Sequence, residues 1–287
     1  MHRKFHFITG LPRSGSTLLS AILRQNPCFH AAMTSPVGPI FRACISAMGA
    51  ENEFAVFISE NQKRAILKGI FEGYYGEMPE CEVIFDTNRA WAARMSALRQ
   101  LFPGAKFICC VRNPAWIFDS IERLLRKNAF DESKLFKASE RADVYSRAEA
   151  LARRDRMIGF AWSALREAFY GDDASEMLLV DYDLLASRSG DTLKLIYEFV
   201  GEPHFEHDFE NVEYEADDYD LGMIIKGLHT VKGRVEFKPR RTILPPDIFK
   251  RFEEMLFWSD HRGSKAKAIV ARENMPGSPA ADIAGRP

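Results

Sequence analysis

The chain has 287 residues, 46% of them apolar, with 39 lysines and arginines against 40 aspartates and glutamates for a net charge of −1. That length and apolar content suit one large α/β domain or two small ones with a substantial core. Near-neutrality excludes a global attraction to nucleic acid or acidic membranes, so any basic site must be local.

The N-terminus, Met1-His-Arg-Lys4, runs directly into an apolar segment that predicts a strand over Phe5–Thr9. No stretch is apolar and long enough for a signal peptide or a membrane span, and the expectation is a cytoplasmic protein. Residues Gly10 to Thr17 then read Gly-Leu-Pro-Arg-Ser-Gly-Ser-Thr. This is the spacing of a phosphate-binding P-loop in which Ser16 stands where ATP-using enzymes place lysine. Leu18, Leu19, Ile22 and Leu23 follow at helical spacing, which puts the loop amides at a helix N-terminus, aimed at an anion. Arg13 adds a planar cationic fork able to hold an oxyanion at two points. The loop is built for a phosphate and not for ATP hydrolysis.

Further on, Thr34–Gly49 is rich in small and apolar residues and predicts a wall of a binding site or a core-packing turn and helix start. Strands are predicted at Glu82–Phe85, Lys106–Val111 and Met177–Val180, with segments between them long enough for crossover helices, which argues for a parallel sheet. The third of these four strands delivers Arg112 at its carboxyl edge. Asn113-Pro114 ends the strand, and a helix from about Ala115 brings Ser120 onto the same side. Arg112 and Ser120 then either grip one anion together, or Arg112 pairs with a carboxylate while Ser120 faces solvent. The P-loop favours the first reading, because two oxyanion sites on neighbouring strand ends suit a nucleotide phosphorylated at two positions.

The polar stretch Asp131–Asp143 predicts a mobile loop, and Val144–Phe169 a single long helix whose Ala152-Arg-Arg-Asp-Arg156 forms a solvated face. Glu213–Asp220 lacks the glycine and glutamate spacing of a calcium loop and predicts a solvated connection. His229 precedes a basic segment and either approaches the active site or, as is more usual for a histidine in a polar stretch, lies at the surface or in a hydrogen bond. The five cysteines, Cys28, Cys44, Cys81, Cys109 and Cys110, show no metal-ligand spacing and are expected to be reduced thiols. Residues 273–287 predict a disordered tail. The whole pattern predicts one α/β domain over residues 1–272, a P-loop-type three-layer fold with a central, mainly parallel sheet flanked by helices.

Taken together, Phe7-Ile-Thr-Gly-Leu-Pro-Arg-Ser-Gly-Ser-Thr-Leu-Leu19 and Val111-Arg-Asn-Pro114 with Ser120 resemble the two nucleotide motifs of the sulfotransferases that use 3′-phosphoadenosine 5′-phosphosulfate (PAPS). The likeness spans most of the chain, is nearest in motif to the bacterial and tyrosylprotein-type branches, and extends to Leu101-Phe-Pro-Gly-Ala-Lys-Phe107 and Leu179-Val-Asp-Tyr-Asp-Leu-Leu185. It implies that Arg13, Ser14, Gly15, Ser16 and Thr17 hold the 5′-phosphosulfate, that Arg112 and Ser120 hold the 3′-phosphate, and that Tyr182 lies near the adenine. Lys232-Gly233-Arg234 is similar to the basic segment that closes over the 3′-phosphate, although the full Arg-Lys-Gly-x-x-Gly pattern of the cytosolic branch is absent.

The activity so implied is transfer of a sulfuryl group to a hydroxyl acceptor of small-molecule, lipid, carbohydrate or peptide type. Its product is 3′,5′-adenosine diphosphate (PAP), and no metal is required. Arg13 would stabilise charge on the leaving oxygen. The base of the cytosolic branch, a histidine after the strand ending at Phe85, is replaced here by Asp86-Thr-Asn-Arg89, and the glutamate of the tyrosylprotein branch has no counterpart in Ala32–Pro36. Asp86 is thereby a candidate base and Arg89 a candidate cation toward the transferring group; the alternative for Asp86 is a helix cap. A P-loop kinase, with Asp181 on magnesium, and a non-catalytic nucleotide-binding protein are the competing readings, and the missing lysine argues against the kinase.

Overall fold

In the computed structural model the described residues are 3–78, 81–130, 132–224 and 227–270. Asp131 and the tail predicted at 273–287 therefore lie outside them. Six strands form one sheet: β1 (Lys4–Gly10), β2 (Phe29–Ala31), β3 (Val83–Thr87), β4 (Phe107–Val111), β5 (Met177–Asp181) and, after a hairpin of β6 (Val212–Tyr214) and β7 (Val231–Gly233), β8 (Lys267–Ile269). Their order is β2-β3-β1-β4-β5-β8 and every pairing in this sheet is parallel, while β6 and β7 pair antiparallel. The helices are α1 (Ser16–Leu23), α2 (Val37–Ala47), α3 (Glu60–Tyr75), α4 (Met95–Leu101), α5 (Pro114–Lys127), α6 (Val144–Ala152), α7 (Met157–Phe169), α8 (Tyr182–Ser187), α9 (Ser189–Val200), α10 (Asp217–Met223) and α11 (Pro246–Glu253).

The strands read as continuous apolar runs because both faces of the sheet are covered. Side chains alternate between two cores: Phe5, Phe7, Ile84, Phe107, Cys109, Met177 and Leu179 pack in one, and Ile8, Val83, Phe85, Ile108, Cys110, Leu178 and Val180 in the other. Burial raises the thiol pKa of Cys109 and Cys110, that of Cys110 to about 12, so both stay protonated packing groups.

The four predicted strands are present as β1, β3, β4 and β5. The three-residue strands β2 and β8 are too short to show a period. The predicted helix over Val144–Phe169 is two helices, because Arg153 turns extended (φ −60°, ψ 145°) after α6. Arg153 and Arg156 both reach back to Glu140, at 2.8 and 2.6 Å. Gly159 then lets α7 start against the end of α6, since a Cβ there would collide with the carbonyl oxygens of Ala152 and Arg153. The arginine-rich segment read as a solvated helix face is thus the break itself. It also ties down residues 132–143: Glu140 is buried, Phe136 enters the core, and Arg141 donates to the carbonyls of Ser133 and Phe136.

His6 shows how a buried polar group is used in the sheet. The backbone N–H of Lys106 donates to His6 Nδ1 at 3.1 Å, so the ring must remain neutral. Burial, reinforced by Lys4 and Lys106, lowers its pKa from 6.5 to about 4. The unfolded chain takes up this proton first, so the stabilisation from the neutral ring is complete above pH 6.5 and is lost as pH falls toward 4, by up to about 3 kcal/mol. His6→Asn keeps an acceptor without the titration. Its denaturant midpoint is expected to fall less over that pH window than the wild-type midpoint, and an unchanged fall would clear His6 of the effect.

Candidate functional site

The site collects at the carboxyl edge of the sheet, where β1 and β4 lie side by side and the chain leaves them in opposite directions, the usual ligand crevice of an open parallel sheet. Gly10 ends β1 at φ +118°, a conformation that favours glycine, and packs so closely on Cys110 that a side chain would strike its backbone. The loop then turns through Arg13, the unusual non-glycine residue at φ +58°, and Gly15 at φ +95°, and enters α1. No side chain caps the N-terminus of α1 and no acidic residue lies in its first turn. Its first-turn amides are therefore left without a capping side chain, the arrangement that suits an anion.

Ser14 is buried with its hydroxyl turned into the loop, where it donates to the carbonyls of Leu11 and, at 2.8 Å, Cys110. Of the loop residues expected to hold the 5′-phosphosulfate, Ser14 therefore has its hydroxyl engaged within the protein. Ser16, Thr17 and Gly15 remain partly exposed. Arg13 spans the crevice: Nε donates to Ser120 Oγ at 3.2 Å and Nη1 to the carbonyl of Leu228. Burial lowers its pKa, with Arg112 and Arg240 adding to the effect and Tyr182 and Asp220 opposing it. A guanidinium so far from its ordinary range of hydration is still charged, and its field is little screened.

Arg112, delivered by β4, lies over the ring of Tyr182 with Cζ 4.1 Å from the ring centroid. The same ring abuts Gly15, where a Cβ would stand 2.9 Å from Tyr182 Cδ2. One aromatic ring thus touches both motifs. The nearest carboxylate to Arg112, Asp183, stands off at 3.8 Å, and among the described residues Arg112 Nε and Asp183 Oδ1 are buried without a hydrogen-bond partner. Nε thus faces the Asp183 carboxylate, the pairing offered by the sequence as the alternative, at a separation longer than a hydrogen bond.

Sequence reasoning missed Arg240. Asp119, fully buried on α5, accepts from Arg123 at 2.8 Å, Thr242 Oγ1 at 3.0 Å and the amide of Ile243 at 2.7 Å, and pairs with Arg240 at 3.0 Å. That knot pins the chain after β7 against α5. Arg240 there feels the charges of Arg112 and Tyr182, behind burial and Asp119 in their effect on its pKa. The pair Arg240-Arg241 was the available signal. Lys232 and Arg234, by contrast, sit on the hairpin, more than half exposed and paired with Glu215 and Glu210. The structure does not bring them to Arg112. Gly233 serves the strand end, with φ +84°.

Asp86 is a correction to the sequence reading. It is fully buried at the end of β3, where Oδ2 accepts from Ser35 Oγ at 2.6 Å and Tyr75 OH at 2.5 Å, and Oδ1 from Trp91 Nε1 at 2.7 Å. Three donors and no exposure leave no approach for an acceptor hydroxyl, so Asp86 is neither a base nor a helix cap. Asn88 does the capping, accepting from the amide of Ala90. Val37 and Phe41 likewise belong to the core, which leaves Ile40 as an exposed apolar residue of that stretch. Arg89 is exposed, yet burial lowers its pKa, with Tyr219 opposing the effect.

The remaining polar residues separate cleanly. Asp181, the residue a kinase-like reading gives to magnesium, caps α8 by accepting the amides of Asp183 and Leu184 at 2.8 and 3.4 Å. Burial, with Asp183, raises its pKa to about 6. Asp220 is buried and holds His229, so the segment read as a solvated connection supplies a core carboxylate.

Residues 6–207 match the model of a family described as "Sulfotransferase family". No curated protein matches the chain at a significant level. Among solved structures, mouse sulfotransferase SULT7A1 complexed with PAP is similar over 89% of this chain and 84% of its own, at 14% identity and a TM-score of 0.51. A sulfotransferase domain from the curacin biosynthetic pathway aligns over 89% of this chain and 92% of its own, at 14% identity and a TM-score of 0.49. A sulfotransferase domain from the Synechococcus PCC 7002 olefin synthase covers 89% and 96%, at 17% identity and 0.46. The likeness to the mouse protein is one of fold.

Proposed function

The chain belongs to the sulfotransferase family, and from that premise we propose that it takes the sulfuryl group from PAPS, releases PAP, and uses the crevice between β1 and β4 for both. The observation that carries this reading is the convergence of the two motifs on one tyrosine ring, since Arg112 lies over Tyr182 and the P-loop glycine Gly15 packs against it. The loop amides from Gly15 to Thr17 bind the 5′-phosphate, and the hydroxyls of Ser16 and Thr17 assist. Arg112, Ser120 and Arg240 bind the 3′-phosphate. Tyr182 supports the adenine end, and Arg13 joins the two anion sites.

The donor, when bound, supplies an activated sulfur whose leaving group is a phosphate oxygen. The protein's part is to align the acceptor oxygen with that bond and to stabilise negative charge as it gathers on the leaving oxygen. Arg13 and the α1 amides do the second. Arg89 stands on the acceptor side, toward the transferred group. The acceptor is a hydroxyl compound, and the exposed side chains Ile40, Phe54 and Phe57 offer it apolar surface. Residues 1–272 act as one domain. Among the described residues no helix is long and apolar enough to cross a membrane, and a cytoplasmic location is part of the proposal.

The test is a thermal shift. At about a hundred times its dissociation constant PAP should stabilise the protein by roughly 2.7 kcal/mol without metal, whereas magnesium-ATP should not. Arg112→Ala and Arg240→Ala should each weaken PAP more than 5′-AMP, on the order of tenfold more, because a charge-assisted hydrogen bond of about 1.5 kcal/mol or more is lost only with the 3′-phosphate. Equal losses for the two nucleotides would remove these arginines from the 3′ site. Stabilisation by magnesium-ATP alone would overturn the donor assignment.

A further inference from the structure

With Asp86 closed off, the proposed reaction lacks a group to take the acceptor's proton, and one arrangement beside Arg13 has the form of such a group. Asp220, 1% exposed, accepts the backbone N–H of His229 on Oδ2 at 2.8 Å and faces His229 Nδ1 with Oδ1 at 2.6 Å. A carboxylate only accepts, so Nδ1 carries the hydrogen and the lone pair lies on Nε2. Nε2 has no partner among the described residues, and the side chain is 22% exposed. Tyr219 meets the ring edge-on, centroids 5.5 Å apart, and limits its rotation.

The ring is tied to the reacting centre by the backbone. Arg13 donates to the carbonyl of Leu228, the residue before His229, so the P-loop arginine and the imidazole are one peptide unit apart. The groups that face His229 are Asp220 and Tyr219 on α10, Arg13 on the P-loop and Arg89 beyond β3. Burial lowers its pKa most, Arg13 and Arg89 lower it further, and Asp220 opposes them. The ring is therefore neutral near pH 7 and able to accept a proton.

We infer that His229 is the general base of the sulfuryl transfer, with Asp220 as its positioning residue. This rests on the proposed function. As the acceptor oxygen forms its bond to sulfur, the bond from sulfur to the 5′-phosphate oxygen breaks and its electron pair stays with the phosphate. The acceptor's proton ends on Nε2 of His229. The carboxylate of Asp220 stabilises the resulting imidazolium, which sits between two arginines that would otherwise repel it.

The experiment follows PAP release from PAPS with 4-methylphenol, whose hydroxyl stays protonated near neutral pH, and PAP binding by calorimetry, on the full chain. His229→Ala is expected to lower turnover by about 100-fold or more, to keep PAP affinity within about twofold of wild type because it touches no phosphate, and to regain turnover with added imidazole. The acid limb of the wild-type rate should lie below the ordinary histidine value of 6.5 and vanish in the variant. Asp220→Asn, which lets Nδ1 lose its obligatory hydrogen, should lower turnover and displace that limb. Turnover within twofold of wild type in His229→Ala would overturn the inference. If 4-methylphenol proves no acceptor, or if His229→Ala does not fold, the nitrogen resonances of His229 in the wild type decide. An Nδ1–H tautomer whose Nε2 shifts on addition of PAP supports the base, and an Nε2–H tautomer overturns it. Failure of PAP to bind wild type would instead defeat the donor assignment.

Discussion

Arg13→Ala should lower turnover by about two to three orders of magnitude while weakening PAP far less. The side chain stands between the middle of α5 and the segment before His229, held by Ser120 and Leu228, in a position where burial has stripped much of its hydration. A cation there interacts weakly with a ground-state sulfate, whose charge is spread, and more strongly with the leaving oxygen as its charge grows. Arg13→Lys retains the charge and loses the fork, so it should fall between the wild type and alanine. Steady-state release of PAP, set against PAP affinity by calorimetry, separates the two effects. If affinity and turnover fell by the same factor, Arg13 would be a ground-state binding residue and its place in the transition state would be lost.

Asp86→Ala should cost stability on the order of 3–5 kcal/mol, because three buried donors lose their acceptor at once. Those donors come from Ser35 after β2, Tyr75 at the end of α3 and Trp91 after β3, so one carboxylate stitches three separate stretches to the sheet. Asp86→Asn keeps the size but offers one acceptor oxygen and should lose less. Turnover per folded molecule should stay within a fewfold of wild type in both variants. A well-folded Asp86→Asn with turnover down a thousandfold and PAP binding intact would return Asp86 to the chemistry.

The proposed cofactor half of the site draws on features legible in the sequence, because backbone conformation writes them into residue type. Gly10 and Gly15 occupy φ values that favour glycine, the hydroxyls after Gly15 open a helix, and Arg112 follows an apolar run that can only be a buried strand. The acceptor half was not legible. Asp86 looked catalytic from its place at a strand end, and only its three donors, one of them 51 positions away, show it to be structural. Arg240 was hidden for the same reason: Asp119, 121 positions earlier, pins it in place. His229 and Asp220 are near in sequence, but an acidic run signals solvent until burial is known. The break between α6 and α7 had a readable cue in Gly159, whose meaning depends on how the two helices meet.

The left-handed backbone of Arg13 has a further consequence, for the balance between durability and use. An L-residue with a side chain pays about 1 kcal/mol to sit at φ +58°, a conformation glycine adopts freely. The most stable residue for this turn is therefore glycine, and an arginine there is a local sacrifice of stability for charge at one point in the crevice. Arg13→Gly should accordingly unfold at a higher temperature than Arg13→Ala while sharing its chemical defect.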